Sequence, residues 1–195
     1  MTTRTVIGAA LTAGVLTFAA EAAEHSAPVE HFTAKAIEAT SLARISLRPV
    51  EIVVTRWSTD AEHRLLVAAL LENGPAAFFD RLCNFAPAGT LGTADGREVA
   101  VRYAWQAFDP DGVRRIFLAT DEPVFLDGPW FRRPPTGELL TFLELRVNRH
   151  GDGKGKLSEA ARLSVDQSRN LIEMRDYADR PLHLLDVRSL RPAEE

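Results

Sequence analysis

The sequence has a single cysteine, Cys83, and this scarcity sets the first limits on what the protein does. One thiol excludes an intrachain disulfide and any metal site built from several cysteines. An excess of basic residues is also missing, because 23 Lys and Arg face 27 Asp and Glu, for a net charge of −4. A nucleic-acid-binding domain normally carries a basic patch or stripe, so this balance argues against nucleic acid as a partner.

The common local signatures of catalysis and cofactor binding are absent as well. The sequence contains no G-x-S-x-G or S-x-x-K nucleophile motif, no phosphate-binding P-loop and no G-x-G-x-x-G. Its histidines are scattered, and none has the H-E-x-x-H spacing of a zinc site. We therefore expect no cofactor and no bound metal, and we favour a protein without catalytic activity.

The N-terminus of the sequence, by contrast, carries the pattern of a targeting signal. Arg4 precedes an uncharged apolar run from Val6 to Ala20, and small residues surround Ala22. A basic start, an apolar middle and an A-x-A cleavage site are typical of a secretory signal peptide. The run is shorter than the roughly 20 residues that span a bilayer. We predict that residues 1–22 are a removed signal and that the mature protein is periplasmic or secreted, with no integral membrane span.

The rest of the chain divides into an arm and one domain. Residues 23–45 mix alanine, charged and small polar residues without a sustained period, which predicts a flexible arm. Residues 46–190 have the length and apolar content of a single domain.

The domain opens with a strand and two helices. Alternating β-branched residues predict a strand over Pro49–Trp57. Thr59, with Glu62 three residues later, predicts a capping box at the start of a helix over Asp60–Glu72. Asn73-Gly74-Pro75 predicts the end of that helix and the start of a second one. Cys83 shares an apolar stripe with Phe79 on the second helix, which predicts a buried thiol.

From Gly89 onward the apolar residues alternate with period two, as in strands. Val99, Val101, Tyr103 and Trp105 fall on one predicted face of a hairpin over Val99–Thr120. Further alternating segments cover residues 139–147, 157–165, 171–177 and 182–187. We predict an α+β fold: a curved antiparallel β-sheet or open barrel of about six to seven strands, with a two-helix insertion after the first strand.

The best candidate for a binding site is a proline-rich loop after the hairpin. Trp130 and Phe131 lie beside Arg132 and Arg133, and such a group could stack on a ring and bind an anion. With Trp105 from the hairpin, these are the predicted ligand-binding residues. The alternative is an ordinary loop whose aromatics cover the sheet and whose arginines are solvated.

A second pattern resembles a calcium-binding loop. Asn148, His150, Asp152, Gly153 and Glu159 match the spacing of that loop, but a neutral amide and an imidazole replace two of its carboxylates. We therefore interpret the segment as a glycine-rich hairpin turn.

Three short motifs in a fixed order resemble a family of secreted bacterial proteins. The family pattern is a W-S/T-T-D-x-E helix start, a later L-A-T-D-x-P segment, and an E-L-R strand before a glycine-rich turn. The matching segments here are residues 57–62, 118–123 and 144–146. The resemblance covers roughly residues 50–188 and implies export and a single domain. The family has no assigned activity, so it implies no catalytic residue.

These observations favour an exported, non-catalytic domain that binds a small molecule or an envelope protein. One alternative is a periplasmic hydrolase that uses loop carboxylates, drawn from Asp121, Glu122, Glu144 and Asp152. Another is a structural or inhibitory protein that acts through a flat apolar surface. The sequence leaves the oligomeric state open.

Overall fold

The structure is a computed structural model that describes residues 30–41, 44–93, 96–124, 140–158, 162–176 and 182–190. Its helix, α1, is Asp60–Leu82. The strands in chain order are β1 (Glu30–Ser41), β2 (Arg44–Val54), β3 (Gly89–Thr93), β4 (Glu98–Phe108), β5 (Arg114–Thr120), β6 (Thr141–Val147), β7 (Asp152–Ser158), β8 (Arg162–Asp166), β9 (Leu171–Asp176) and β10 (Leu182–Leu190).

Eight of these strands form a closed antiparallel barrel in the order β1-β10-β7-β6-β5-β4-β3-β2. Strands β8 and β9 form a separate hairpin, inserted in the chain between two neighbouring barrel strands. The antiparallel α+β architecture is as predicted, whereas the barrel is closed rather than open. Closure gives every barrel strand two neighbours and leaves no edge strand unpaired.

The barrel interior is filled by apolar side chains from alternate positions of its strands. An eight-stranded barrel is just wide enough for side chains to fill it. The largest fully buried members of this cluster are Phe32, Ile52, Leu91, Ile116, Leu118 and Leu143. At one end of this interior, Arg114 forms a bidentate ion pair with Glu30, and one of the two bonds is 2.7 Å long. The Arg114 guanidinium also lies over the Trp57 ring, 5.2 Å from its centroid.

A second layer covers one half of the barrel wall. Helix α1 and the β8–β9 hairpin pack on the outer faces of β4, β5 and β6, and together they bury a second apolar cluster. Its fully buried aromatic members are Phe78, Phe117, Phe142 and Tyr103. On the outer faces of β2 and β10, by contrast, Leu47, Leu185 and Leu190 are exposed. Among the described residues, the second layer therefore leaves this half of the wall uncovered.

The helical region is one element rather than the two helices predicted. Helix α1 runs on to Leu82, although Gly74 has non-helical angles with φ of +79°. The Thr59–Glu62 capping box is confirmed at its start. The helical geometry is broken at Gly74, where the Asn73-Gly74-Pro75 segment predicts it, but a single glycine kinks the backbone without adding a loop, and Pro75 has no N–H to leave unpaired, so the helix is not divided into two elements.

The flexible arm predicted for residues 23–45 is wrong for Glu30–Ser41. This segment is β1, which pairs with β2 on one side and β10 on the other and so closes the barrel. Its inward-facing positions include Ala34 and Ala36, whose small side chains give little alternation in hydrophobicity. The strand is specified by pairing with two neighbours, and sequence periodicity does not report that pairing.

A bulge in β4 changes which of its residues share a face. In the pairing with β5, Val101 is opposite Thr120 and Tyr103 is opposite Ala119, so Arg102 is the extra residue. Val101 therefore points into the barrel, whereas Tyr103 points into the outer cluster. The prediction that Val99, Val101, Tyr103 and Trp105 share one face of the strand was wrong. A bulge reverses which face each of the following residues occupies. The β4–β5 hairpin itself is confirmed.

Candidate functional site

Of the predicted ligand-binding residues, only Trp105 lies in the described part of the chain. Trp130, Phe131, Arg132 and Arg133 lie outside the described residues. Trp105 is partly buried in the outer cluster, where its ring stacks on His63 with a centroid distance of 4.2 Å and an interplanar angle of 5°. Its visible role is therefore to pack the second layer onto the barrel.

His63 is buried at the centre of this second layer, with 1% of its surface exposed. Its Nε2–H donates to the carbonyl oxygen of Asn170 at 2.8 Å, because a carbonyl can only accept. The Tyr103 hydroxyl then donates to Nδ1, also at 2.8 Å. Burial lowers the pKa of His63, although the Asn170 bond acts in the opposite direction. A neutral imidazole thus joins α1, the barrel wall and the β8–β9 turn.

The first of the three family motifs, residues 57–62, lies at the start of α1, and its Glu62 makes contacts between separate segments of the chain. Arg56 donates to both carboxylate oxygens of Glu62, at 2.9 and 3.0 Å, and to the carbonyl of Ala86 at 2.7 Å. Burial would raise the pKa of Glu62, but the Arg56 and Thr59 hydrogen bonds lower it overall. These contacts tie the link after β2 to the helix start and to the segment before β3.

The other two family motifs, residues 118–123 and 144–146, each contribute a carboxylate to an ion pair within the chain. Asp121 accepts from Arg102 at 3.0 Å, next to the β4 bulge. Glu144 accepts from Arg115, which also binds Glu173 on the β8–β9 hairpin at 3.0 Å. Burial alone would lower the pKa of Arg115, but these two carboxylates raise it overall. The charged residues of these motifs fasten outer elements to the barrel.

The carboxylates proposed for a hydrolase are spread along the length of the barrel. Thr120, just before Asp121, pairs with Thr141 at one end of β6, whereas Gly153, just after Asp152, pairs with Val147 at the other end. Six residues of strand separate these ends, which is about 20 Å. Paired glycosidase carboxylates lie within about 5–10 Å of each other. Asp121 and Asp152 therefore cannot act together in that way.

Cys83 is exposed, not buried as predicted. It is the C-cap of α1, one residue beyond the last buried turn. Partial desolvation and the charge of Asp121 raise the pKa of its thiol, which disfavours the reactive thiolate.

The segment resembling a calcium loop forms the turn between β6 and β7. The Asn148 Oδ1 accepts from the backbone N–H groups of His150 and Asp152, at 2.8 and 3.1 Å. Gly151 has a φ of +87°, which a side chain would disfavour. The side-chain oxygen of Asn148 is thus occupied in shaping the turn. In the described ranges, no three His, Cys, Asp or Glu side chains form a group that could hold a metal ion.

The candidate binding site is an open cleft of about 460 Å³ on the uncovered wall. It crosses the outer faces of β10, β1, β2 and β3. Its lining residues are Thr33, Ala34, Lys35, Pro49, Val50, Glu51, Gly92, Thr93, Asp186 and Arg188. Its volume is within the range of pockets that hold small molecules.

A bulge in β10 shapes one side of this cleft. Leu184 pairs with Gly155 and Val187 with Gly153, so two residues of β10 are opposite one residue of β7. Within the bulge Asp186 has a φ of +49°, and its carboxylate accepts from Lys35 at 2.8 Å. Bulges are frequent beside functional sites because they redirect side chains.

A glycine forms part of the cleft lining on β3. A Cβ placed on Gly92 would meet no atom closer than 3.9 Å, so packing does not require glycine there. A Cβ on Gly89, in the same strand, would lie 2.0 Å from the carbonyl oxygen of Val53. Gly89 is thus required by the fold, whereas Gly92 leaves space open to solvent. A glycine inside a strand often marks the close approach of a ligand.

Sequence reasoning missed this cleft entirely. Lys35 lay in the supposed arm, and Arg188 lay at the end of the domain. They become neighbours only because β1 and β10 close the barrel. The one local signal was Gly92, a glycine within a short apolar segment, and such a glycine is equally typical of a turn.

Comparison of the chain with protein-family models, with curated proteins and with solved structures finds no match. The family resemblance therefore stays a prediction. Within the described residues, no helix combines the length and the apolar character needed to cross a membrane.

Proposed function

We propose that this chain is an exported, non-catalytic ligand-binding domain of the bacterial cell envelope. The closed barrel serves as a rigid scaffold, and the uncovered half of its wall presents the ligand cleft. The observation that carries this proposal is Gly92, a strand glycine that packing does not require and that lines the cleft.

The distribution of charged residues supports binding over hydrolysis. Asp121 and Glu144 are each paired with an arginine that fastens another element, so neither is placed as a general acid or base. His63, a natural general base by residue type, has both ring nitrogens occupied and is buried. These groups maintain the two-layer packing, and the cleft lies on the opposite half of the wall.

Export rests on the signal-like N-terminus. The N-terminal sequence of the protein recovered from the periplasm or medium should begin at Ala23, directly after the A-x-A site. An intact Met1 on exported protein would contradict this part of the proposal.

The binding function is tested by filling the cleft. We expect Gly92→Leu to abolish the thermal shifts that a library of small metabolites produces in the wild type, while the fold is retained. Thr90→Leu is the matched control, because Thr90 lies on the same strand but does not line the cleft. Shifts that survive in Gly92→Leu would argue against this cleft. Turnover of ester, peptide or glycoside substrates by the wild type would argue against a non-catalytic protein.

A further inference from the structure

We infer that the cleft binds a small organic monoanion, with Arg188 holding a carboxylate and the rest of the ligand lying over Gly92. This inference rests on the proposed binding function and adds the chemical class of the ligand. Its basis is the arrangement of four charged side chains around the cleft, one of which, Arg188, has no side-chain partner among the described residues.

Arg188 is the cation available to a ligand. It lies opposite Thr33 of β1, on the outer side of the barrel, and its side chain is exposed. In the part of the chain that the structure describes, its guanidinium forms no hydrogen bond and no ion pair. A guanidinium presents parallel N–H donors that fit the two oxygens of a carboxylate.

Lys35 is already engaged beside it. Its Nζ donates to the Asp186 carboxylate at 2.8 Å, and both side chains are about half exposed, at 52% and 60%. This hydrogen bond and charge from Lys35, with a smaller contribution from Arg188, lower the pKa of Asp186. Lys35 and Asp186 therefore cancel each other, and the bulge that holds Asp186 leaves Arg188 as the surplus positive charge on this side.

The fourth charged side chain, Glu51, limits the number of negative charges that the ligand can carry. Glu51 lines the cleft on β2, and its carboxylate lies 2.8 Å from Nε2 of His31. Two carboxylates thus border a site with one surplus cation. Because Lys35 neutralises Asp186, Glu51 is the carboxylate that would repel a second negative charge on the ligand, so a carboxylate is favoured over a phosphate dianion.

The body of the ligand has an apolar surface to contact. Pro49 presents its exposed ring to the cleft on β2, whereas the Val50 side chain points into the barrel, and Gly92 leaves open space on β3. Arg188 and Gly92 lie in one row across β10, β1, β2 and β3 and are therefore about 14 Å apart. A flat apolar group over β2 and β3 would thus present its carboxylate above β1, and the long Arg188 side chain would have to extend from β10 to meet it. Simple aromatic acids have this combination of features and serve as probes.

The experiment is a chemical-shift titration of isotope-labelled, full-length mature protein with benzoate, benzamide and phenyl phosphate. Backbone amides of Gly92, Thr93 and Arg188 report occupancy of the cleft. For a probe of this size we expect benzoate to bind with a Kd of about 1–10 mM. Benzamide and phenyl phosphate should each bind at least about tenfold more weakly.

Variants then assign the contacts. Arg188→Gln should reduce the affinity for benzoate to that for benzamide. Gly92→Leu should abolish the chemical-shift changes of the cleft amides. Arg81→Gln, an exposed arginine on α1, is the matched control and should leave the Kd unchanged. The amide spectrum of each variant checks that it is folded.

Each contrary outcome has a distinct meaning. If benzamide shifts the cleft amides as strongly as benzoate, the anion inference is overturned while the binding function stands. Tighter binding of phenyl phosphate would overturn the monoanion preference. If no probe shifts these amides saturably, both this inference and the proposed cleft fail.

Discussion

The buried histidine of the second layer makes the stability of this protein depend on pH in a way that can be isolated by one substitution. Both ring nitrogens of His63 are hydrogen-bonded, to Tyr103 and to Asn170, in a site that is 1% exposed. The perturbation is His63→Phe, which keeps a ring to stack on Trp105 but removes both hydrogen bonds and the titrating group.

The loss at neutral pH follows from the groups left behind. In His63→Phe the buried Tyr103 hydroxyl and the Asn170 carbonyl both lose their partner. The unsatisfied Tyr103 hydroxyl costs about 1–3 kcal/mol, and the lost bond to Asn170, which is exposed to solvent, costs about 0.5–1.5 kcal/mol, so the variant should lose about 1.5–4.5 kcal/mol of unfolding free energy. Tyr103→Phe removes one bond and keeps the histidine, so it should lose about 1–3 kcal/mol.

The pH dependence follows from the lowered pKa of His63. As the pH falls through about 6.5, the unfolded chain takes up a proton on this residue and the folded chain does not. The stability of the wild type is therefore complete above about pH 6.5 and declines on acidification until the folded pKa is reached. The slope from this residue is at most about 1.4 kcal/mol per pH unit. The nearby charges of Asp60 and Arg64 act on the pKa in opposite directions, and both remain in the variants.

The assay is urea unfolding of the wild type and both variants between about pH 8 and pH 5, with linear extrapolation to water. The stability gap between wild type and His63→Phe should narrow as the pH falls, whereas the gap between wild type and Tyr103→Phe should stay more nearly constant. A gap to His63→Phe that is flat across this range would refute the buried neutral imidazole. A gap that widens on acidification would mean that the fold stabilises the cation.

Three further predictions concern the scaffold. Gly89→Ala should destabilise the protein by about 1–3 kcal/mol or more, because its Cβ meets the backbone at 2.0 Å, whereas Gly92→Ala should be neutral or stabilising by up to about 1 kcal/mol. Equal urea midpoints would contradict this distinction. Glu30→Gln should cost about 3–5 kcal/mol because it leaves the buried Arg114 charge unpaired, and a calorimetric melt would show it. Arg115→Met should release the β8–β9 hairpin, seen as faster amide exchange in β9 while β4 and β5 remain protected.

Sequence patterns were sufficient to predict those elements whose determining residues lie close together in the chain. The capping box of Thr59 and Glu62 needs only three residues of spacing, and the β4–β5 hairpin needs a turn flanked by alternating residues. The antiparallel α+β architecture follows from several such segments joined by short links. In each case the determining interactions lie within a few residues of one another.

Contacts between distant segments decided the remainder. The bulge at Arg102 is stabilised by Asp121, and its effect is to turn Tyr103 and Trp105 outward, against their alternation with Val101. Cys83 follows an apolar stripe yet is exposed, although Leu82 before it and Phe85 after it both contact the outer cluster, because the side chain of Cys83 faces away from that cluster.

The sequence by itself determined the class of the fold, the start of α1 and the absence of the common local catalytic motifs, since each depends on composition or short spacing. Only the tertiary structure decided that β1 closes the barrel, which half of the wall is covered, and where the cleft lies. Closure brings Lys35 to Asp186, 151 residues away along the chain. No local pattern encodes such a pairing, because it depends on the register of strands at opposite ends of the domain.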